Sequence, residues 1–80
     1  MTIYSVTVSG QERMRFSGNF SEASSPICIV GDAGEVSTPY QVADARHRPS
    51  EAAILLNDWC RSEGGEAWEQ EERIKVVNVN

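Results

Sequence analysis

Residues 49–65 limit what this chain can fold into more than any other stretch of its sequence. Apolar side chains recur there three, four, seven and eight positions apart, and a 3.6-residue period brings such positions onto one face of a helix. That face is formed by Ala52, Leu55, Leu56, Trp59 and Cys60. The pattern predicts an amphipathic helix over about residues 50–63 that lies on a flat apolar layer.

Signals for both ends of this helix flank the apolar stripe. Ser50 follows Pro49 and can accept a hydrogen bond from a free amide of the first turn, so it is the predicted N-cap. Gly64 and Gly65 predict the end, because glycine adopts the left-handed conformation of a helix terminus at little cost. Polar residues on the other side of the helix, Asn57 among them, are expected to face water.

Much of the remaining chain alternates between apolar and polar residues, which is the two-residue period of half-buried strands. Residues 3–8 and 13–20 are two such runs, and the short turn between them contains Gly10, so they predict an antiparallel hairpin. The side chains expected to share the buried face are Tyr4, Val6, Val8, Met14, Phe16 and Phe20, with Gly18 marking a bulge or a close backbone approach. Those expected to face water on the second strand are Arg13, Arg15, Ser17 and Asn19.

Three further strands are predicted. Residues 27–30 form a short unbroken apolar run. Residues 35–42 alternate but contain Pro39, which lacks an amide hydrogen, so this strand is expected to lie at a sheet edge or to break near Pro39. Residues 74–79 are rich in valine and are expected to lie beside the first strand, under the helix and near the sheet centre. The prediction is therefore a single small α+β domain over residues 1–80: an antiparallel sheet of four to five strands, in the order β-β-β-β-α-β, with one main helix packed on one face.

Twelve acidic residues against seven basic ones give the 80-residue chain a formal net charge of −5. Affinity for DNA, RNA or an anionic membrane comes largely from Lys and Arg, so direct binding to nucleic acid is not expected, and a protein partner with a basic surface is favoured. The chain has no apolar run of the roughly eighteen residues that a membrane span needs. Its first residues show no secretory signal, which predicts a cytoplasmic protein, acting as a monomer or homodimer.

No residue set in the sequence matches a catalytic or metal-binding motif. His47 is flanked by Arg46 and Arg48, which disfavour its protonated form and would suit a general base, but no nucleophile is tied to it by spacing. Cys28 and Cys60 lie too far apart for a zinc or redox motif and are expected to be free thiols. We therefore predict a non-enzymatic protein without catalytic residues, metal or cofactor, and an exposed loop histidine.

The acidic residues are not evenly spread along the chain. Half of them lie near the end of the predicted helix and in the segment that follows, where Trp68 stands among glutamates. Tryptophan in such a setting is either a lid over the core or an exposed anchor of an interface, and acids around it can steer a basic partner. The predicted partner-binding residues are Glu63, Glu66, Trp68, Glu69, Glu71 and Glu72.

A small acidic chain built from hairpins and one helix, without a catalytic set, resembles the accessory proteins of phages and mobile elements, and among these it resembles anti-CRISPR proteins. The resemblance is one of size, charge and architecture, carried by the Ile3–Phe20 hairpin, the Ser50–Glu63 helix and the acidic Glu63–Glu72 stretch. It implies a non-enzymatic inhibitor or adaptor in the host cytoplasm that blocks a nucleic-acid-binding complex by occupying its surface.

Besides a small hydrolase or transferase that uses His47, which full activity of His47→Ala would exclude, two other functions stay open at this point. The first is a small nucleic-acid-binding regulator that uses Arg13, Arg15, Arg46 and Arg48, which a mobility-shift assay at low salt would detect. The second is a structural, oligomeric subunit, for which open edge strands would supply the contacts.

Overall fold

The computed structural model describes residues 2–63 and 73–79, which form one antiparallel sheet of five strands and one helix. The elements in chain order are β1 (Thr2–Val8), β2 (Gln11–Gly18), β3 (Pro26–Gly31), β4 (Gly34–Gln41), α1 (Pro49–Ser62) and β5 (Ile74–Asn78). This confirms the predicted α+β class and the order β-β-β-β-α-β. Across the sheet the strands follow the order β4-β3-β2-β1-β5.

β5 lies beside β1, as predicted, but at the edge of the sheet rather than at its centre. β1 pairs with β2 along their hairpin, from Val8 with Gln11 to Thr2 with Gly18, so only the other side of β1 is left for β5. β4 forms the opposite edge of the sheet. A residue without an amide hydrogen is tolerated there, so the edge position predicted from Pro39 is confirmed.

The turn between β1 and β2 is made by two residues with positive φ. Ser9 and Gly10 have φ angles of 53° and 83°, the signs of a type I′ turn, whose backbone twist matches that of antiparallel strands. Glycine adopts this conformation freely, whereas serine does so at a cost. The turn sets the register of the hairpin, with Val8 opposite Gln11.

The inner face of the sheet carries the core and packs against α1. The buried apolar residues of the core are Val6, Val8, Phe16, Ile27, Val42, Ala45, Ala52, Ala53 and Leu56. Phe16 stacks on Tyr4 with ring centroids 5.4 Å apart, and Phe20 meets both rings edge-on. A Cβ atom on Gly18 would lie 3.0 Å from the Phe20 ring, so this glycine makes room for an aromatic side chain rather than for the close backbone approach that was one predicted alternative.

The helix is present, but its buried side differs from the predicted stripe. Ala53 and Asn57 are fully buried, whereas Leu55, Trp59 and Cys60 are only partly buried. The expectation that Asn57 faces water is therefore wrong, because contact with the sheet and the preceding loop, rather than the apolar stripe alone, determines how the helix is rotated. No buried side-chain nitrogen or oxygen among the described residues lacks a hydrogen-bond partner, so this buried amide is satisfied.

α1 also begins one residue earlier than predicted. Pro49 occupies the first helical position, where its fixed φ suits the helix and its missing amide hydrogen is not needed. Arg48 is the N-cap, and no side chain caps the first turn. The predicted cap at Ser50 is wrong, because that residue already lies within the helix. The helix ends at Ser62, and the predicted stop at residues 64–65 lies outside the described residues.

The outer face of the sheet carries no described helix, yet its centre is closed to water. Ser17 is fully buried and Ser5 is 4% exposed, so the expectation that Ser17 faces water is wrong. Both are small residues on β1 and β2, which have a paired strand on each side. The Ser17 hydroxyl donates a hydrogen bond to Glu35 Oε1 over 3.2 Å. Alternation therefore identifies the face of this residue but not its exposure.

Candidate functional site

The predicted acidic surface is bracketed by two described residues, Glu63 and Arg73. Glu63 is exposed at the C-terminal end of α1, and its amide donates to the Trp59 carbonyl over 3.0 Å. Arg73 directly precedes β5, and its Nη1 donates to Ser9 Oγ over 3.4 Å, which places this end of the segment at the β1–β2 turn. The other predicted contact residues, Glu66, Trp68, Glu69, Glu71 and Glu72, lie outside the described residues.

The described part of the chain is close to charge balance. Residues 2–63 and 73–79 contain all seven Lys and Arg residues and eight of the twelve acids. The other four acids are the glutamates that lie between Glu63 and Arg73. The acidic character that favours a basic partner is therefore a property of one segment rather than of the whole fold.

A β-bulge in β2 brings Glu12 onto the same face of the sheet as Arg15. The register against β1 shifts beyond Met14, so Arg13 is an extra residue and Glu12 takes the outward place. Arg15 Nε then donates to Glu12 Oε1 over 2.7 Å. This bond, and after it a bond from Ser5, lowers the pKa of Glu12, and the same carboxylate raises the pKa of Arg15. Arg15 is thus paired within the fold, and nothing in the sequence pattern signals the bulge.

An open groove of about 540 Å³ lies where β2 continues past the end of β3. The groove exists because β3 turns back after Gly31, whereas β2 starts at Gln11. One wall is formed by residues 12–15 and the other by Val30, Gly31 and Asp32. The described lining carries both signs of charge and has no histidine, cysteine, serine or threonine, so it can contact a ligand through charge.

The loop between β4 and α1 carries the second pair of arginines, Arg46 and Arg48, and contains two residues with a strained backbone. The loop makes a helical turn that closes with a Schellman motif, in which the His47 amide donates to the Val42 carbonyl over 3.0 Å. Arg46 and His47 have φ angles of 57° and 60°, a left-handed conformation that costs a non-glycine residue about 1–2 kcal/mol. These two residues and Arg48 are exposed, so the histidine is an exposed loop residue, as predicted.

The four arginines of the nucleic-acid hypothesis form two groups at opposite ends of the sheet. Arg15 pairs with Val30, close to the β3–β4 turn, whereas the loop with the second pair follows Gln41 at the far end of β4. A strand of this length spans about 25 Å. The structure therefore does not bring the four side chains together into one basic patch.

Replacing Arg46 with glycine is expected to raise the free energy of unfolding by about 0.5–1 kcal/mol. Glycine removes left-handed strain of about 1–2 kcal/mol from the folded state. It also gives the unfolded chain more conformational freedom, which offsets about 0.5–1 kcal/mol of this stabilisation. Urea unfolding followed by circular dichroism measures the change. The matched control is Asp44→Gly, which should destabilise because Asp44 Oδ2 accepts a hydrogen bond from the Gln41 amide over 3.1 Å. A loss of stability in Arg46→Gly would contradict the assignment of strain.

Cys28 and Cys60 are both free thiols, as predicted. Cys28 is buried on the outer face of β3, with its sulfur 3.7 Å from Ser37 Oγ, and Cys60 belongs to the helix on the inner face, so the sheet separates them. Partial burial raises the pKa of the Cys60 thiol, which keeps it protonated and weakly nucleophilic at neutral pH. Within residues 2–63 and 73–79, no three His, Cys, Asp or Glu side chains are grouped as metal ligands.

In the described part of the chain, α1 is neither long nor apolar enough to cross a bilayer. Comparison of the chain with protein-family models, with curated proteins and with solved structures finds no match. A functional proposal therefore rests on the fold, the charge distribution and the open surfaces of this chain.

Proposed function

We propose that this protein is a non-enzymatic inhibitor or adaptor that binds a protein partner through an acidic surface. The surface comprises Glu63, Glu66, Trp68, Glu69, Glu71 and Glu72. The observation that supports the proposal is the division of charge along the fold. The sheet and the helix are nearly neutral, and the excess of acid is collected in one segment between Glu63 and Arg73.

Concentrated acids act on a basic partner in two ways. At a distance, the attraction between opposite charges raises the association rate and orients the encounter. At contact, the carboxylates pair with Lys and Arg side chains of the partner, and Trp68 supplies an apolar anchor of the kind that dominates interface energies.

The class of partner that fits best is a surface that normally neutralises the phosphates of a nucleic acid. A run of carboxylates presents the same sign of charge as the phosphate backbone and competes for the same Lys and Arg residues. Occupying such a surface would block a nucleic-acid-binding complex without any chemical step. This is the mode of action implied by the resemblance to anti-CRISPR proteins.

Reversing two of these charges tests the surface. The double substitution Glu69→Lys and Glu72→Lys is expected to weaken binding to a partner captured from a host lysate at least tenfold, which is about 1.4 kcal/mol. It should also flatten the dependence of Kd on salt, because fewer attractive charge pairs remain to be screened. Titrations of the purified partner at several NaCl concentrations measure both quantities.

The matched control reverses two acids elsewhere, Glu22→Lys with Asp32→Lys, and so changes the net charge by the same amount. Both residues are exposed in turns outside the acidic segment. The control should keep the wild-type affinity to within about threefold, about 0.7 kcal/mol. Unchanged binding by the Glu69 and Glu72 variant would reject the surface. An equal loss in both variants would mean that net charge, and not this segment, attracts the partner.

A further inference from the structure

The first four residues of β4, Gly34–Ser37, form an open strand edge. All four are exposed, and Val36, at 63%, is the most exposed large apolar residue among those described. β4 pairs with β3 on one side, and no described element lies on its other side. An exposed strand edge that carries an apolar side chain is a template for a further strand.

The hydrogen-bond ladder determines which backbone groups of this edge point outward. The Val79 amide donates to the Ile3 carbonyl over 2.9 Å, so Ile3 directs its backbone groups toward β5. Along a strand, successive residues direct their amide and carbonyl groups to opposite sides, and directly paired residues direct theirs either toward each other or away from each other. Applied to the pairs of β1 with β2, β2 with β3 and β3 with β4, this rule directs the amide and carbonyl of Val36 toward β3. Glu35 and Ser37, on either side of it, therefore direct their amides and carbonyls away from the sheet.

We propose that this edge is a self-association site, in which β4 pairs antiparallel with β4 of a second copy of the chain. The two-fold axis passes at Val36, so that the two valines lie opposite each other. Glu35 of each copy then lies opposite Ser37 of the other. These two residues exchange main-chain hydrogen bonds through their outward groups, and the serine hydroxyl can donate to the carboxylate across the pair.

The chemistry of the edge is self-complementary, which is what a two-fold contact requires. Val36 lies on the axis, between the Glu35 carboxylate, which accepts hydrogen bonds, and the Ser37 hydroxyl, which donates them. Each Glu35 therefore lies opposite a serine and not opposite another carboxylate. Pro39 falls opposite Ala33 of the second copy, beyond the ladder, so its missing amide removes no bond. The β5 edge lacks this match, because a two-fold axis at Val77 would place Lys75 opposite an apolar residue, Val79.

The contact is small, so we expect a weak dimer. Four main-chain hydrogen bonds and one valine pair bury much less than the roughly 1,200–2,000 Å² of stable interfaces. The net charge of −5 on each copy adds a repulsion that salt reduces. Association should therefore be visible at high micromolar to millimolar protein concentration and should strengthen with added salt.

Disulfide trapping tests the register. In the proposed dimer, Val36 and Val36 of the second copy form a non-hydrogen-bonded pair of an antiparallel ladder. The Cα atoms of such a pair lie about 4.5 Å apart, which is within reach of a disulfide. In a background with Cys28→Ser and Cys60→Ala, we expect Val36→Cys to form a cross-linked dimer under mild oxidation, at least tenfold more than Val77→Cys. Val77 is the matched control, because it is also an exposed edge valine, at 53%. Equal or absent cross-linking at position 36 would overturn the proposal.

Sedimentation velocity tests the association without cysteines. The wild type should shift toward a dimer between about 10 μM and about 1 mM, Val36→Lys should stay monomeric, and Val77→Lys should behave as the wild type. Both valines are exposed, so both lysine variants should melt within a few degrees of the wild type. A wild type that is monomeric at about 1 mM, or a dimer that survives Val36→Lys, would overturn the inference. Neither result depends on the acidic surface.

Discussion

Replacing Phe16 with alanine is expected to lower the free energy of unfolding by about 3–5 kcal/mol. Phe16 is fully buried on the inner face of the sheet, stacks on Tyr4 and meets Phe20 edge-on. Truncation removes its apolar area and its aromatic contacts and leaves a cavity that a hydrogen-bonded sheet cannot close. Since a domain of 80 residues has little stability in reserve, a large part of the variant should be unfolded at room temperature.

Thermal and urea unfolding, followed by circular dichroism, measure this loss. The control is Val77→Ala, an exposed position on β5, where the expected change is below about 0.5 kcal/mol. A Phe16→Ala variant that melts with the control would show that the aromatic cluster contributes little to the core. A large loss in both variants would instead indicate that β5 packs more tightly than its exposure implies.

Replacing Leu56 with alanine is the second large effect, with an expected loss of about 3–5 kcal/mol. Leu56 is fully buried in the core cluster, whereas its neighbour Leu55 is only partly buried. Leu55→Ala should therefore lower the free energy of unfolding by about half as much or less, since the side chain that it truncates buries less apolar area and water can reach the site. The apolar stripe read from sequence includes both leucines and does not distinguish them.

The two leucine variants form a matched pair, because they remove the same atoms from adjacent positions of one helix. Their order of stability in urea reports how α1 is rotated on the sheet. A greater loss in Leu55→Ala would contradict the observed rotation, in which Ala53 and Asn57 share the buried side with Leu56. Equal losses of unfolding free energy in the two variants would also contradict this rotation.

The chain attaches the proposed acidic segment to β5, on the edge of the sheet opposite the proposed β4 contact. β4 and β5 form opposite edges of the sheet, and the acidic segment joins α1 to β5. A dimer paired through β4 would carry two acidic segments, each attached near an outer β5 edge. Two such contacts on one assembly can raise the apparent affinity for a partner with repeated basic sites, because the second contact forms within an existing complex.

The elements themselves could be predicted because each depends on short-range features of the chain. The apolar residues around Leu56 recur at helical spacing, and the alternation from Tyr4 to Phe16 is that of a hairpin. The edge position of β4 followed from Pro39, because a missing amide hydrogen has the same consequence in any sheet. The acidic segment was also evident from the sequence, since charge is a property of each residue.

The candidate basic patch shows why other features could not be predicted. Arg13 and Arg15 share a face if the strand is regular, and only the pairing with β1 shows the bulge that lets Glu12 neutralise Arg15. The distance from these residues to the strained Arg46 loop depends on the direction of β4 relative to β2. Neither the bulge nor the strand directions leave a mark in a single sequence.

By itself, the sequence determined which segments become strands and helix and where the acidic charge is collected, because these follow from local periodicity, backbone chemistry and side-chain type. Only the tertiary structure decided that Ser17 and Asn57 are buried, that the arginines lie apart and that Val36 lies on an open edge. Burial and neighbourhood depend on which strands pair and on which side of the helix meets them. These contacts join residues far apart in the chain.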